Sequence, residues 1–340
     1  MRRDLLEAGC IAPIVGVLLQ VGQDLSLPFC ERHGLAPSRR CIDGAPERAR
    51  EPPNNCRRNT SRTSPEVQEN FRWSPPGGPL GRLTRAAEER AATLRRSMPE
   101  LRARALDAGA PPPFASSLRD GATVAVIAEI KRRSPSKGAI NEGIRAGDRA
   151  ALYADAGARA LSILTEPLEF GGTTEDLLEV RARVGLPLLK KDFHVDEAQV
   201  WEARALGASA ILFIARALAP HRLDALVETA LMAGLEPLVE IRSEAELARA
   251  VATPATVIGV NARDLETLII EPWVTERLLP AIPGDRVRVA ESGMSSAEDV
   301  RRAAALGAHA VLVGSSLSAA DDPSAALRAL AAVSRGAHGG

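Results

Sequence analysis

Three stretches of the chain repeat one pattern: AGARALSIL at Ala156–Leu164, LGASAILFI at Leu206–Ile214 and LGAHAVLVG at Leu306–Gly314. In each, a glycine follows an Ala/Leu-rich segment and a run of branched apolar residues comes straight after. Glycine in that slot ends a helix, because it enters the left-handed backbone region without a Cβ clash. The apolar run behind it is too short for a helix and reads as a strand buried on both faces. Gly185 and Gly234 fill the same slot. Helix, glycine and buried strand in repetition are the sequence form of βαβ units.

Working outward, eight strands are predicted: Val124–Ile130, Ala160–Leu164, Pro187–Lys191, Ala210–Ile214, Glu236–Ile241, Thr256–Val260, Arg286–Ala290 and Ala310–Val313, each followed by a helical segment. Units recurring about every 25 residues, eight times, give the roughly 250 residues of a (β/α)8 TIM barrel, an α/β fold. Ahead of it, LGRLTRAAEERAATLRR places Leu83, Ala87, Ala91 and Leu94 on one helical face, and a second short helix is expected at Pro99–Ala108. The expected organisation is an N-terminal extension at 1–79, largely linker or disordered, a barrel with extra N-terminal helices at 80–335 and a tail at 336–340.

The extension carries PPNNCRRNTSRTSP and WSPPGGP, with no sustained apolar period. It also holds all four cysteines, Cys10, Cys30, Cys41 and Cys56, at irregular spacings without CxxC. They read as unpaired thiols of a cytosolic protein rather than a metal site. Ile11–Val21 is apolar, but acids interrupt its basic flank and it is too short to span a membrane. Lys plus Arg equals Asp plus Glu, 43 of each, so no whole-chain field draws the protein to nucleic acid or a membrane surface. With 45% hydrophobic and only 3% aromatic residues, the core must be built from Ala, Val, Ile and Leu.

Of the 43 basic residues only Lys131, Lys137, Lys190 and Lys191 are lysine. Arg serves as the generic surface charge, so lysines confined to the ends of strands one and three point to proton transfer, which Arg cannot perform near neutral pH. In this barrel, working groups project from the C-terminal strand ends. There the chain places Glu129 and Lys131, Lys191, Glu240, Asn261 and Arg263, and Glu291 and Ser292. Glu129 and Lys131 are two apart on an extended strand and so share a face. For any one such charge an ordinary ion pair at the rim is the plain alternative; several converging charges favour catalysis.

SPSKG at Ser134–Gly138 has the composition of a mobile lid over an anion, or of a simple βα loop. ESGM at Glu291–Met294 and VGSS at Val313–Ser316 put Gly and Ser at the ends of strands seven and eight, where this fold commonly binds phosphate. None of the five histidines sits in a ligand-like cluster with carboxylates, and no P-loop or GxGxxG follows a strand. No metal and no cofactor are expected.

Taken in order, AEIKRRSPSKG, LSILTEP, LKKDF, EPLVEI, IGVNARDL, VAESGM and VLVGSSL resemble the motif set of the indole-3-glycerol phosphate synthase family over about Leu80–Ser334. The resemblance implies a cofactor-free lyase of tryptophan biosynthesis. It would close an indole ring on 1-(2-carboxyphenylamino)-1-deoxyribulose 5-phosphate with loss of carbon dioxide and water. It further implies Lys191 as general acid, Lys131 at the substrate carboxylate and phosphate end, Glu240 opposite the anilino nitrogen or acting as base, Glu129 in the final dehydration and Asn261 as orienter. Arg263 and Glu291 would hold the charged groups in place, with Ser292 beside the substrate. Ser134, Lys131, Gly293, Gly314 and Ser315 would bind phosphate, and Phe193 and Leu212 would wall the aromatic ring.

Two neighbouring lysines are expected to lower the pKa of Lys191. Arg242 after EPLVEI departs from the histidine common in the family. The expected partner is a small phosphosugar, in a cytoplasmic monomer or weak oligomer, with other tryptophan-pathway enzymes as further candidates. A phosphoribosylanthranilate isomerase would need a Cys/Asp pair that the barrel lacks. A non-catalytic phosphosugar-binding barrel or pathway scaffold is the other alternative, which loss of Lys191 or Glu240 would have signalled.

Overall fold

A computed structural model of the chain describes residues 73–136 and 138–335. The four cysteines, Ile11–Val21, Lys137 and the tail at 336–340 lie outside the described residues. The eight strands are β1 (Ala125–Ile130), β2 (Ala160–Leu164), β3 (Leu188–Lys191), β4 (Ala210–Ile214), β5 (Glu236–Ile241), β6 (Val257–Asn261), β7 (Val287–Glu291) and β8 (Ala310–Val313). Each pairs in parallel with the next, and β8 pairs with β1 to close the barrel. All eight predicted strands are present. However, β6 and β7 run one residue further than their apolar runs, because Asn261 and Glu291 stay in ladder register with each other.

Three helices precede the barrel: α1 (Gly78–Leu94), α2 (Met98–Asp107) and α3 (Phe114–Arg119). Leu83, Ala87 and Ala91 of α1 are buried as the periodicity required. Helix α3 was not foreseen, since six residues are too few to show a period. Its first two amides donate to the Glu236 carboxylate at the start of β5, and Phe114 and Leu118 are wholly buried, which places α3 at the N-terminal end of the barrel.

The strands alternate with α4 (Ala146–Asp155), α5 (Thr174–Arg183), α6 (Glu197–Ala205), α7 (Pro220–Met232), α8 (Glu244–Ala252), α9 (Pro272–Leu278) and α10 (Ala297–Ala305). After β8 come α11 (Ser315–Ala319) and α12 (Pro323–Ala331). Gly157, Gly207, Gly234 and Gly307 have φ of 100°, 84°, 77° and 90°, the left-handed stop read from the repeats. Gly185 does not, because α5 ends into an extended Val184. The run after β1 forms a two-residue antiparallel ladder, Arg133–Ser134 with Gly138–Ala139, and Arg132 ties that loop to Asp176.

The register fixes how the lumen is filled. Because the strands tilt, a level line round the barrel climbs two residues for every two strands crossed, so each layer takes four side chains from alternate strands. Pairings Glu129↔Ser162↔Leu189, and their continuations round the ring, put Glu129, Lys191, Glu240 and Glu291 in one layer. Above it lie Leu164, Ile214, Asn261 and Gly314; below it lie Ser162, Leu212, Gly259 and Leu312. The next layer down is wholly apolar: Ile127, Leu189, Leu238 and Val289. Apart from Glu236 at the N-terminal end, whose carboxylate meets α3, charge in these layers therefore lies near the C-terminal rim.

Candidate active site

A cavity of about 340 Å³ opens above the charged layer. Its lining includes the predicted Glu129, Lys131, Ser134, Lys191, Phe193, Leu212, Glu240, Asn261, Arg263, Ser292, Gly293, Gly314 and Ser315. Glu291, expected to hold the charged groups in place, is sealed beneath it at 1% exposure.

Glu129 bridges the two amines. Its Oε1 lies 2.6 Å from Lys131 Nζ and its Oε2 3.3 Å from Lys191 Nζ, while Glu291 Oε2 holds Lys191 from the other side at 3.2 Å. Burial opposes the charge on Glu129, but Lys131 and Lys191 outweigh it and bring its pKa down to about 2. Lys191 departs from the expected lowering. Burial does pull it down, but Glu129, Glu291 and Glu240 together win, and it is held above the ordinary lysine value. A carboxylate lies between the lysines, so their mutual repulsion does not set the proton affinity.

Glu240 behaves in the opposite way. Burial first, and the negative Glu291 second, push it up to about 8 against the opposing pull of Lys191. Asn261 fixes its direction: Nδ2 donates to Glu240 Oε1 at 3.0 Å, while Oδ1 accepts from the Ser292 hydroxyl at 2.8 Å and the Arg263 amide at 2.9 Å. Arg263 itself holds none of the lysines; its guanidinium donates to the Leu268 carbonyl at 2.8 Å and so shapes the loop after β6.

Gly314 is required by space. A Cβ there would collide with the Glu129 carboxylate and lie 3.0 Å from Lys131 Nζ. Beside it, Ser292 and Gly293 both adopt left-handed φ, 63° and 76°, and the Ser316 hydroxyl donates to Met294 O at 3.2 Å, joining the loops after β7 and β8. Ser134 is buried on the cavity wall, its hydroxyl without a partner among the described residues. Among the described residues no group of His, Cys, Asp and Glu is arranged to hold a metal ion.

Sequence reasoning missed several contributors. Pro79, Leu80 and Leu83 of α1 form part of the wall, as do Phe170, 6.5 Å from Phe193 between ring centres, and Ile270. The apolar face of α1 was the available signal, but nothing local told that it caps the mouth. A charged network behind β3 was also unread. Arg90 of α1 reaches Asp192 at 2.7 Å, and Lys190 faces outward to Glu202 at 3.1 Å and His194 Nε2 at 3.3 Å. His194 Nδ1 lies 2.8 Å from the Leu212 carbonyl, which can only accept, so Nδ1 carries the proton. Burial, then Lys190, lowers its pKa to about 3.

The family profile for indole-3-glycerol phosphate synthase matches residues 82–330. The chain belongs to the indole-3-glycerol phosphate synthase family. Relatives of that name include one from Opitutus terrae, 49% identical over 243 residues, covering 69% of this chain and 91% of the relative. Two synthases of Streptomyces coelicolor are 47% and 44% identical, covering 69% and 74% of this chain and 87% and 98% of their own lengths. Among solved structures, 3-hexulose-6-phosphate synthase from Salmonella typhimurium superposes with a TM-score of 0.51 at 14% identity, covering 61% of this chain and 97% of that one; this likeness speaks to the fold alone. Membership of the indole-3-glycerol phosphate synthase family makes the chain a decarboxylating lyase of tryptophan biosynthesis, acting on a small phosphosugar-type substrate. No helix of the described residues is long and apolar enough to cross a membrane.

Proposed function

We propose that the cavity above Lys191 converts 1-(2-carboxyphenylamino)-1-deoxy-D-ribulose 5-phosphate into indole-3-glycerol phosphate, carbon dioxide and water, with the residues below in the roles given. The observation that carries this reading is a protonated amine, clasped by Glu129 and Glu291, at the floor of a cavity with apolar walls and a glycine-serine rim.

The ring carbon bearing the carboxylate attacks the ketose carbonyl carbon, and Lys191 gives its proton to the carbonyl oxygen. A raised pKa does not disqualify it: the developing alkoxide is a stronger base than any amine, and carboxylate neighbours keep Lys191 loaded. Carbon dioxide then leaves and aromaticity returns. In the last step the hydroxyl and a hydrogen from the adjacent carbon depart as water, with Glu129 serving that elimination beside Lys131. Starting from the substrate carboxylate, each turnover takes up one proton.

Glu240 faces the anilino nitrogen and stabilises positive charge there, oriented by Asn261. Lys131, Ser134, Gly293, Gly314 and Ser315 bind the anionic ends; the unpartnered Ser134 hydroxyl and the paired left-handed Ser292 and Gly293 support this. Phe193 and Leu212 flank the aromatic ring. All these groups come from one chain, so a monomer suffices, without docking to another pathway enzyme. A charged phosphosugar stays in the compartment where it is made, and we place the reaction in the cytoplasm. The barrel at 80–335, with Gly78 and Pro79 at the start of α1 added to it, is the catalytic domain.

The test is to add this substrate to purified protein and follow indole fluorescence for the wild type and Lys191→Ala. The wild type turns over, and the variant loses at least about two orders of magnitude in kcat, as for loss of a general acid. An unchanged variant refutes the assignment of Lys191.

A further inference from the structure

Gly259 lies in the middle of β6, in the lumen layer just below the charged one, where Ser162, Leu212 and Leu312 each contribute a side chain. Its φ is not left-handed, so the backbone does not call for glycine. Space does. A Cβ at 259 would collide with Glu291 Oε1 and lie 3.1 Å from Leu238 Cδ2. We propose that Gly259 is a positioning residue: the room left by its missing side chain seats the Glu291 carboxylate beneath Lys191 and Glu240.

Glu291 Oε1 is buried and makes no ion pair among the described residues, while a side-chain hydrogen bond couples the Glu291 carboxyl to Glu240. Its other oxygen carries the contact to Lys191. Leu238 closes the far side of the seat, so a methyl at 259 must drive the carboxylate out of place. Such a shift loosens the clasp on Lys191 and changes the negative field that Glu240 feels. This rests on the reading of Lys191, Glu240 and Glu291 as working parts of the same site.

The test uses the full chain. In Gly259→Ala, kcat falls by about tenfold to a hundredfold, as displacements near 1 Å do, while KM changes little. The acid limb of the kcat profile, set by ionisation of Glu240, moves, because Glu291 no longer sits where it raised Glu240. Gly185→Ala, with no atom within 4 Å of the added methyl, serves as the silent control. The shorter carboxylate of Glu291→Asp clears the methyl, so it recovers kcat in the Gly259→Ala background and only loses kcat in the wild type. If Gly259→Ala does not fold, the double variant still decides: refolding with activity supports the seat, and failure of both overturns it. An unchanged kcat and pH limb, a lowered Tm as the sole effect, or equal losses from Glu291→Asp in both backgrounds would also overturn it. Glu291→Gln measured alongside separates the two levels. Full activity there sinks the role of Glu291 itself and the seat with it, whereas a loss there beside a normal Gly259→Ala sinks only the seat.

Discussion

Lys190 and Lys191 are neighbours on β3, the first buried and the second partly so, and both are paired with carboxylates, yet they belong to different worlds. Lys190 points away from the lumen, at 1% exposure, into a closed network of Glu202, His194 and Asp192. Lys191 points inward between Glu129 and Glu291 and lines the cavity. Residue type and ion pairing are alike; what differs is which face of the strand looks onto space a substrate can fill. A buried lysine is therefore not a functional signal until the face is known.

The comparison breaks most readily on activity. Lys191→Ala should lower kcat by at least about two orders of magnitude in the fluorescence assay. Lys190→Met should cost the fold instead: removing one member of a buried charge group leaves the others uncompensated, and denaturant unfolding should show a loss of about 3 kcal/mol or more. The contrast fails if Lys190→Met matches Lys191→Ala in kcat while keeping wild-type stability.

A subtler effect concerns Glu240. Its folded pKa of about 8 against an ordinary 4.5 means that the folded state binds the extra proton between those values. Stability from this group accordingly falls as pH rises from about 4.5 to 8. Glu240→Gln should flatten that slope in unfolding measurements and, since only the ionised carboxylate stabilises positive charge, remove an acid limb of kcat near 8. Glu129 has the reverse sign. Its pKa near 2 contributes stability above 4.5 that is lost as pH falls toward 2. The smallest effect sharpens the contrast from outside: Arg277 and Glu244 form a pair more than half exposed, and Arg277→Ala should leave Tm unchanged within error.

Much of the candidate site was legible because the barrel topology constrains it. Once eight buried strands were counted, the polar residue closing each one had to stand at a single rim, which gathered Glu129, Lys131, Lys191, Glu240 and Asn261 around one cavity. What was misread required distances. The proton affinity of Lys191 has the opposite sign to that expected because a carboxylate, not the other lysine, is its nearest neighbour. Of the two residues expected to hold the charged groups in place, Glu291 meets Lys191, whereas Arg263 turns to the Leu268 carbonyl.

By itself the sequence determined the parallel barrel and the list of groups at its mouth, since helix stops, apolar runs and strand-end polarity are local and periodic properties. Tertiary structure alone decided which amine meets which carboxylate, that α1 walls the cavity, and that two glycines make room for two carboxylates. Those facts depend on approaches of a few ångströms between residues far apart in sequence, such as Lys191 and Glu291 or Gly314 and Glu129, and no local pattern encodes them.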